Sequence, residues 1–254
     1  MAIGQTKREM VMGVCDAVSY KANTAEVFER FVTLQKDIGK SLGSKMRLER
    51  VDKYDQLVAD LNSGKLDMAF VHPCHHAIRA IASGQYHLAA LSKAHLNYRA
   101  SFLVRSDSSL KSADQLAGKR VSLPDADSAT AWLARAAIAE HIPDKSKRPT
   151  FSSERLQEVI HIAVDLKVVD AGATGSEAEV KAWVAAGNRV LFTSRSIPVK
   201  YFIVHDRNKG SLEQIRFLLL QQTNLSKIGI TEGFVGFDET LLIKAGQWLS
   251  SGAV

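Results

Sequence analysis

Residues 54–70 read Tyr54-Asp55-Gln56-Leu57-Val58-Ala59-Asp60-Leu61-Asn62-Ser63-Gly64-Lys65-Leu66-Asp67-Met68-Ala69-Phe70. The first half predicts a helix over 54–62, stopped by Ser63-Gly64, because a glycine just past the last turn takes the conformation that ends a helix at no steric cost. The second half predicts a short, continuously apolar strand over Leu66–Val71, the pattern of a strand covered on both faces.

The same alternation runs outward in both directions. Before it lie a strand at Met10–Val14 ending at Cys15-Asp16, a loop Ser19–Thr24, a helix Ala25–Leu42 closed by Gly43, and a strand at Met46–Val51. After it come a helix at Ala77–Ala82, strands at His87–Leu91 and Ala100–Arg105, a short helix at Ser112–Leu116 and a strand at Arg120–Leu123. Asp125-Ala126-Asp127-Ser128-Ala129-Thr130 then opens a helix over Ala131–His141. The remainder predicts helices at Leu156–Ala163, Ser176–Ala186, Leu212–Thr223 and Glu239–Leu249, with strands at Val168–Ala171, Val190–Thr193 and Tyr201–Val204. Such alternation implies an α/β fold with mostly parallel sheets. Two extended segments, Ser101–Ser106 and Lys200–Asp206, bracket a central block and imply two lobes joined by a double-strand hinge. Residues 1–103 plus 204–254 would form the first lobe and 104–203 the second, with strand ends and helix N-termini facing across a central ligand cleft.

Composition narrows the function. The chain has 254 residues, 46% of them hydrophobic and 24% charged, enough apolar surface for a real core. Two cysteines are too few for a disulfide scaffold or a four-cysteine zinc site. No apolar run reaches the roughly 18 residues of a membrane span. The net charge of +6 is spread along the chain, and its single dense cluster, Lys145–Arg148, sits between Pro143 and Pro149 in a predicted surface loop. Aromatic residues make up 7% and do not interleave with the basic ones, so nucleic-acid binding is not indicated. A mildly basic surface points instead to an acidic ligand or partner.

Residues 54–70, Phe102–Val121 with its Leu116-Ala117-Gly118-Lys119-Arg120-Val121 ending, and Thr193-Ser194-Arg195-Ser196-Ile197-Pro198 together resemble periplasmic binding proteins of the phosphate/phosphonate type. The resemblance covers most of residues 10–204 in order. It implies the two-lobed type II periplasmic fold, a periplasmic location for a mature form without its leader, no cofactor and no enzymatic activity. It also implies that an oxyanion sits at the N-terminus of the second lobe's first helix, here Asp127-Ser128-Ala129-Thr130. Orphan N–H groups and the helix dipole favour an oxygen-rich ligand there, and hydroxyls add hydrogen bonds. Asp127 or Ser128 could equally serve only as an N-cap. The acidic residue and the histidine with which phosphonate binders hold an amino tail have no match at Ala173–Ser176 or Phe151–Glu154, which argues against an amino-substituted ligand.

The loop His72-Pro73-Cys74-His75-His76 follows a buried strand, and Cys15 follows the first strand at the same sheet edge. A thiolate selects soft partners such as trivalent arsenic, Cu(I) or zinc. His75 and His76, being adjacent, are expected to face different ways. A buried cysteine can also act as a small hydrophobe, or the two could pair as a disulfide. Cys74 resembles the arsenic ligand of an arsenite-binding branch of the family that works with a membrane histidine kinase. The expected ligand is therefore a small inorganic oxyacid, with arsenite favoured. Its site would comprise Cys74 (or, less favoured, Cys15), Ser128, Thr130, Asp127, Tyr98, Tyr20 and His72. The alternative is the substrate-binding component of an ABC transporter delivering phosphate, phosphite or phosphonate to its permease. A synthase of this fold has only the Cys/His loop for support, and no G-x-S-x-G, H-E-x-x-H or phosphate-loop pattern is present.

Overall fold

The computed structural model describes residues 8–16, 24–154, 157–222 and 232–253. The chain divides into two compact units: residues 1–96 with 198–243, and residues 97–197 with 244–254. These boundaries lie a few residues from the expected ones, and the chain's last residues join the second unit.

Unit 1 carries a six-stranded sheet. From edge to edge it runs β11 (Phe234–Val235), β4 (Tyr86–Ser92), β10 (Tyr201–His205), β3 (Met68–His72), β1 (Met10–Asp16) and β2 (Met46–Arg50). Helices α1 (Thr24–Leu42), α2 (Tyr54–Asn62) and α3 (Cys74–Ala82) make the crossovers between its first four strands. Its core joins Met12 and Val14 of β1 to Phe31 and Ile38 of α1 and to Phe70 and Phe202 on the inner strands. Unit 2 carries a five-stranded sheet in the order β7 (Thr150–Glu154), β6 (Arg120–Pro124), β8 (Ala171–Thr174), β5 (Ser101–Val104), β9 (Arg189–Thr193). Its crossover helices are α4 (Ala129–His141), α5 (Gln157–Asp165) and α6 (Glu177–Ala185). Trp183 of α6 is buried with Leu103, Val164 and Val169, and its Nε1 donates to Val104 O at 3.1 Å. α7 (Leu212–Leu220) covers unit 1, and α8 (Glu239–Ser251) ends in unit 2, where Trp248 Nε1 donates to Glu140 at 3.1 Å.

The sheets are mixed rather than mostly parallel. In unit 1, β2, β1, β3 and β4 share a direction and β10 runs against both β3 and β4. In unit 2, β7, β6, β8 and β9 share a direction and β5 runs against β8 and β9. The inserted strands are those that follow a passage of the chain from one unit to the other. A strand entering from outside the βαβ series need not keep its direction, because no crossover helix returns it to the starting end.

Several boundaries differ from expectation. β7, an edge strand with the polar sequence TFSSE, has no apolar alternation and was not expected. The strand expected at Val168–Ala171 lies instead at Ala171–Thr174, and Val168 is 56% exposed. α3 begins at Cys74 rather than at Ala77. The segment Ser112–Leu116 contains a single 3-10 turn, Ala113–Leu116. Residues 19–23, Leu156 and Thr223 lie outside the described residues.

Gly172 on β8 shows how tightly α5 lies on the sheet. A Cβ at this position would meet Ile160 Cγ2 at 2.4 Å and Val164 Cγ2 at 3.0 Å. Overpacking of this kind costs about 1–3 kcal/mol. Gly172→Ala is expected to lower the unfolding free energy by that amount, read by circular dichroism as a lower urea midpoint at unchanged m value.

Candidate functional site

The strand order places a topological switch point in each unit. In unit 2 the chain leaves β6 for β7 on one side, then crosses back to β8 on the other, so the carboxyl ends of β6 and β8 flank a crevice. Parallel pairing sets Ser122 opposite Gly172 and carries both strands toward that end. β6 delivers the loop Asp125–Ser128 and the start of α4, and β8 delivers Thr174-Gly175-Ser176 and the start of α6.

Three of the expected residues meet there in a defined arrangement. Ser128 is the N-cap of α4, its Oγ accepting from the Ala131 N–H at 3.2 Å. Thr130, only 1% exposed, shares a 2.6 Å hydrogen bond between its Oγ1 and the hydroxyl of Tyr98. Tyr98 is itself held by a backbone bridge to Ile197. This contact is possible because residue 175 is glycine: a Cβ would lie 1.9 Å from the Tyr98 hydroxyl oxygen and 2.7 Å from Thr130 Oγ1. Thr174 Oγ1 accepts from the Ser176 N–H at 3.1 Å, and Ser176 Oγ caps α6 by accepting from the Glu179 N–H at 3.2 Å. Two hydroxyl-capped helix starts therefore share one sheet edge. Sequence reasoning missed Gly175 as part of this contact, since only the fold reveals what opposes it.

Asp127 stands differently from its neighbours. Its Oδ1 accepts from Trp132 Nε1 at 2.9 Å, while its own N–H donates to Asp125 Oδ1 at 2.9 Å. Arg135 Nη2 donates to Ala126 O at 2.6 Å. The loop before α4 is thus fastened by side chains of the helix it introduces.

In unit 1 the strand order β2-β1-β3 makes the corresponding switch point, and register sets Asp16 opposite His72. Cys15 Sγ donates to His72 O at 3.2 Å. His72 Nδ1 lies 2.9 Å from Val199 O. A carbonyl only accepts, so Nδ1 carries the proton. Burial pulls the His72 pKa below its ordinary value, the bond to Val199 opposes this only in part, and the ring is neutral with Nε2 as an acceptor. His95, burial-shifted down to about 4, is neutral as well. Lys200 Nζ pairs with Asp16 Oδ1 at 2.7 Å, and the two side chains are 15% and 18% exposed. This ion pair joins the last residue of β1 to the one before β10; nothing local in the sequence announces it. Tyr20 lies outside the described residues.

Cys74 does not stand where the sequence suggested. It is fully buried, as the first residue of α3 behind a cis His72–Pro73 bond. Burial pushes its thiol up to about 12, outweighing the bonds from its own and the His75 N–H groups at the helix start. A helix N-terminus alone lowers a thiol pKa, so desolvation wins here. The exposed thiolate that would seize trivalent arsenic is replaced by a protonated, enclosed thiol. No disulfide joins Cys74 to Cys15. His75 and His76, expected to diverge, are both buried with ring centroids 4.0 Å apart.

The chain matches the family model described as "ABC transporter, phosphonate, periplasmic substrate-binding protein" over residues 17–240. No curated protein sequence matches it. Its fold is similar to that of XAC2383 from Xanthomonas citri bound to ATP, at 16% identity and TM-score 0.76, covering 97% of this chain and 99% of that one. It is similar to PhnD1 from Prochlorococcus marinus in complex with methylphosphonate, at 14% identity and TM-score 0.65, covering 94% and 96%. The Escherichia coli aliphatic sulphonate binding protein SsuA shares the fold at 16% identity and TM-score 0.55, covering 96% and 78%. The architecture is that of type II periplasmic binding proteins, and no helix among the described residues is long and apolar enough to cross a membrane. The family consists of solute-binding proteins rather than enzymes, and this chain belongs to it, as a phosphonate-type periplasmic substrate-binding protein.

Proposed function

We propose that the chain binds a small, unsubstituted tetrahedral oxyanion of the phosphonate class and delivers it to an ABC permease. In this reading Ser128, Thr130 and Tyr98 contact the anion at the amino end of α4. The observation that carries it is the Thr130–Tyr98 hydroxyl pair seated on Gly175, beside first-turn N–H groups that have no intrahelical acceptor. Hydroxyl and amide donors held by neighbouring strand ends suit an anion's oxygens better than any cation or apolar ligand.

Asp127 serves the loop rather than the ligand, because its carboxylate is engaged by Trp132 and would repel an anion. The lack of an acidic residue in Ala173–Ser176 supports methylphosphonate, phosphite or phosphate over an amino-substituted phosphonate. That the similar PhnD1 was solved with methylphosphonate supports the same class. Full burial of Cys74 weighs against arsenite held there and signalled to a histidine kinase, and the family description favours a transporter.

Calorimetric titration with methylphosphonate, phosphite, phosphate and arsenite tests this. One oxyanion of the first three is expected to bind, and Thr130→Val to weaken it about 10- to 100-fold, the cost of a hydrogen bond to a charged group. Gly175→Ala is expected to abolish binding by displacing Tyr98. Arsenite binding that vanishes in Cys74→Ser, with no binding of the other anions, would refute the proposal.

The thiols give an independent check. In native protein at pH 8, Ellman's reagent is expected to react with neither cysteine within minutes. Both should react after denaturation. Rapid native labelling of Cys74 would restore the arsenite reading.

A further inference from the structure

The dense basic cluster at Lys145–Arg148 has no part in the proposed oxyanion site, yet it lines a pocket. The pocket lies wholly within unit 2, has a volume of about 150 Å³, and is bounded by Arg135, Lys145, Arg148, Pro149, Phe151 and Gly252. Pro149 and Phe151 supply apolar wall, and the aliphatic stems of the three basic residues add to it. Their charged ends meet backbone carbonyls: Arg135 with Ala126 O at 2.6 Å, Arg148 with Ile142 O at 3.1 Å and Pro143 O at 3.4 Å, Lys145 with Ala253 O at 3.4 Å. The Arg135 guanidinium also lies over the Trp132 ring, 5.2 Å from its centroid. Among the described residues none of the three is paired with a carboxylate.

A guanidinium has five N–H groups and an ammonium three, so donors remain on all three side chains. Three cations without a carboxylate in salt-bridge contact, around a partly apolar pocket, raise the local potential, and an anion relieves it. Burial already weighs against the charged form of Arg135, and the charge of Asp127 offsets this only in part. A cavity of about 150 Å³ is the size that holds one benzene ring.

We propose that this pocket is a second ligand site, separate from the start of α4, that takes a phosphate monoester bearing a ring-sized apolar group. The ring would lie against Phe151 and Pro149, and the phosphate would face the ends of Arg135, Lys145 and Arg148. Arginine and lysine together suit phosphate because the fork gives direction and the ammonium gives a mobile point charge.

Phenyl phosphate is the probe, titrated calorimetrically into the full chain at about 0.15 M salt, where exposed charges are screened beyond roughly 8 Å. Saturable one-site binding is expected, weakened at least tenfold by Lys145→Glu. Lys147→Glu, the same charge change in the same loop but outside the pocket, should leave it unaltered. Thr130→Val should leave it unaltered too, while weakening methylphosphonate. Lys145 is exposed, so Lys145→Glu is expected to melt like the parent. No saturation at millimolar concentration, equal weakening by the two lysine variants, or loss in Thr130→Val would each overturn the proposal. So would a hexaglutamate peptide that binds in a Lys145-dependent way when phenyl phosphate does not, since the face would then belong to an acidic protein partner.

Discussion

Each sheet depends on a strand that runs against its neighbours. β10 lies between β3 and β4, and β5 between β8 and β9, each hydrogen-bonded on both sides. Such a strand has no solvent face, and its side chains must be apolar on both surfaces. Tyr201-Phe202-Ile203-Val204 and Phe102-Leu103-Val104 meet that demand and are all buried. Each inserted strand sits inside the βαβ series, with β4 or β9 on one side of it and the remaining strands of the series on the other. The orders β2-β1-β3 and β7-β6-β8 follow, and with them the paired strand ends that carry the candidate ligand groups. An unpartnered polar side chain at a buried position of either inserted strand would cost the desolvation of that group.

The chemistry at those ends is decided by desolvation as much as by residue type. Cys74 begins a helix, follows a buried strand and has histidines beside it, all features that favour a thiolate, and it is nonetheless held protonated because no water reaches it. His72 and His95 are neutral for the same reason. The polar end of unit 1 thus combines neutral rings with one internally balanced ion pair. Unit 2 offers hydroxyls and amides, with the Asp127 carboxylate engaged by Trp132 and that of Asp125 by the Asp127 N–H.

Much of this was legible in the sequence. The strand–helix alternation, the bracketing strands and the capping role of Ser128 rest on local pattern, and the loop before α4 has the composition of a helix start. Elements without a local signal were not legible. β7 is a strand because β6 pairs with it, since four of its five residues are polar and three are exposed. α3 starts three residues early because Pro73 stands at its N-cap position with no capping side chain, so the usual polar marker is missing. That shift turned Cys74 from an expected loop thiol into a buried first-turn residue. The contacts of Gly175 with Tyr98 and of Lys200 with Asp16 join residues far apart in the chain, which no single-sequence pattern encodes.

The fastening of residues 125–128 by α4 has a consequence for how this receptor spends its interactions. Trp132 and Arg135 lie one and two turns inside the helix and hold Asp127 and Ala126 from there, while Ser128 is tied to Ala131. A loop that is already shaped before its guest arrives surrenders little disorder on capture. Under the proposed function, discrimination among anions of similar size would then fall to how long each one stays, because the encounter itself asks for no rearrangement of this segment.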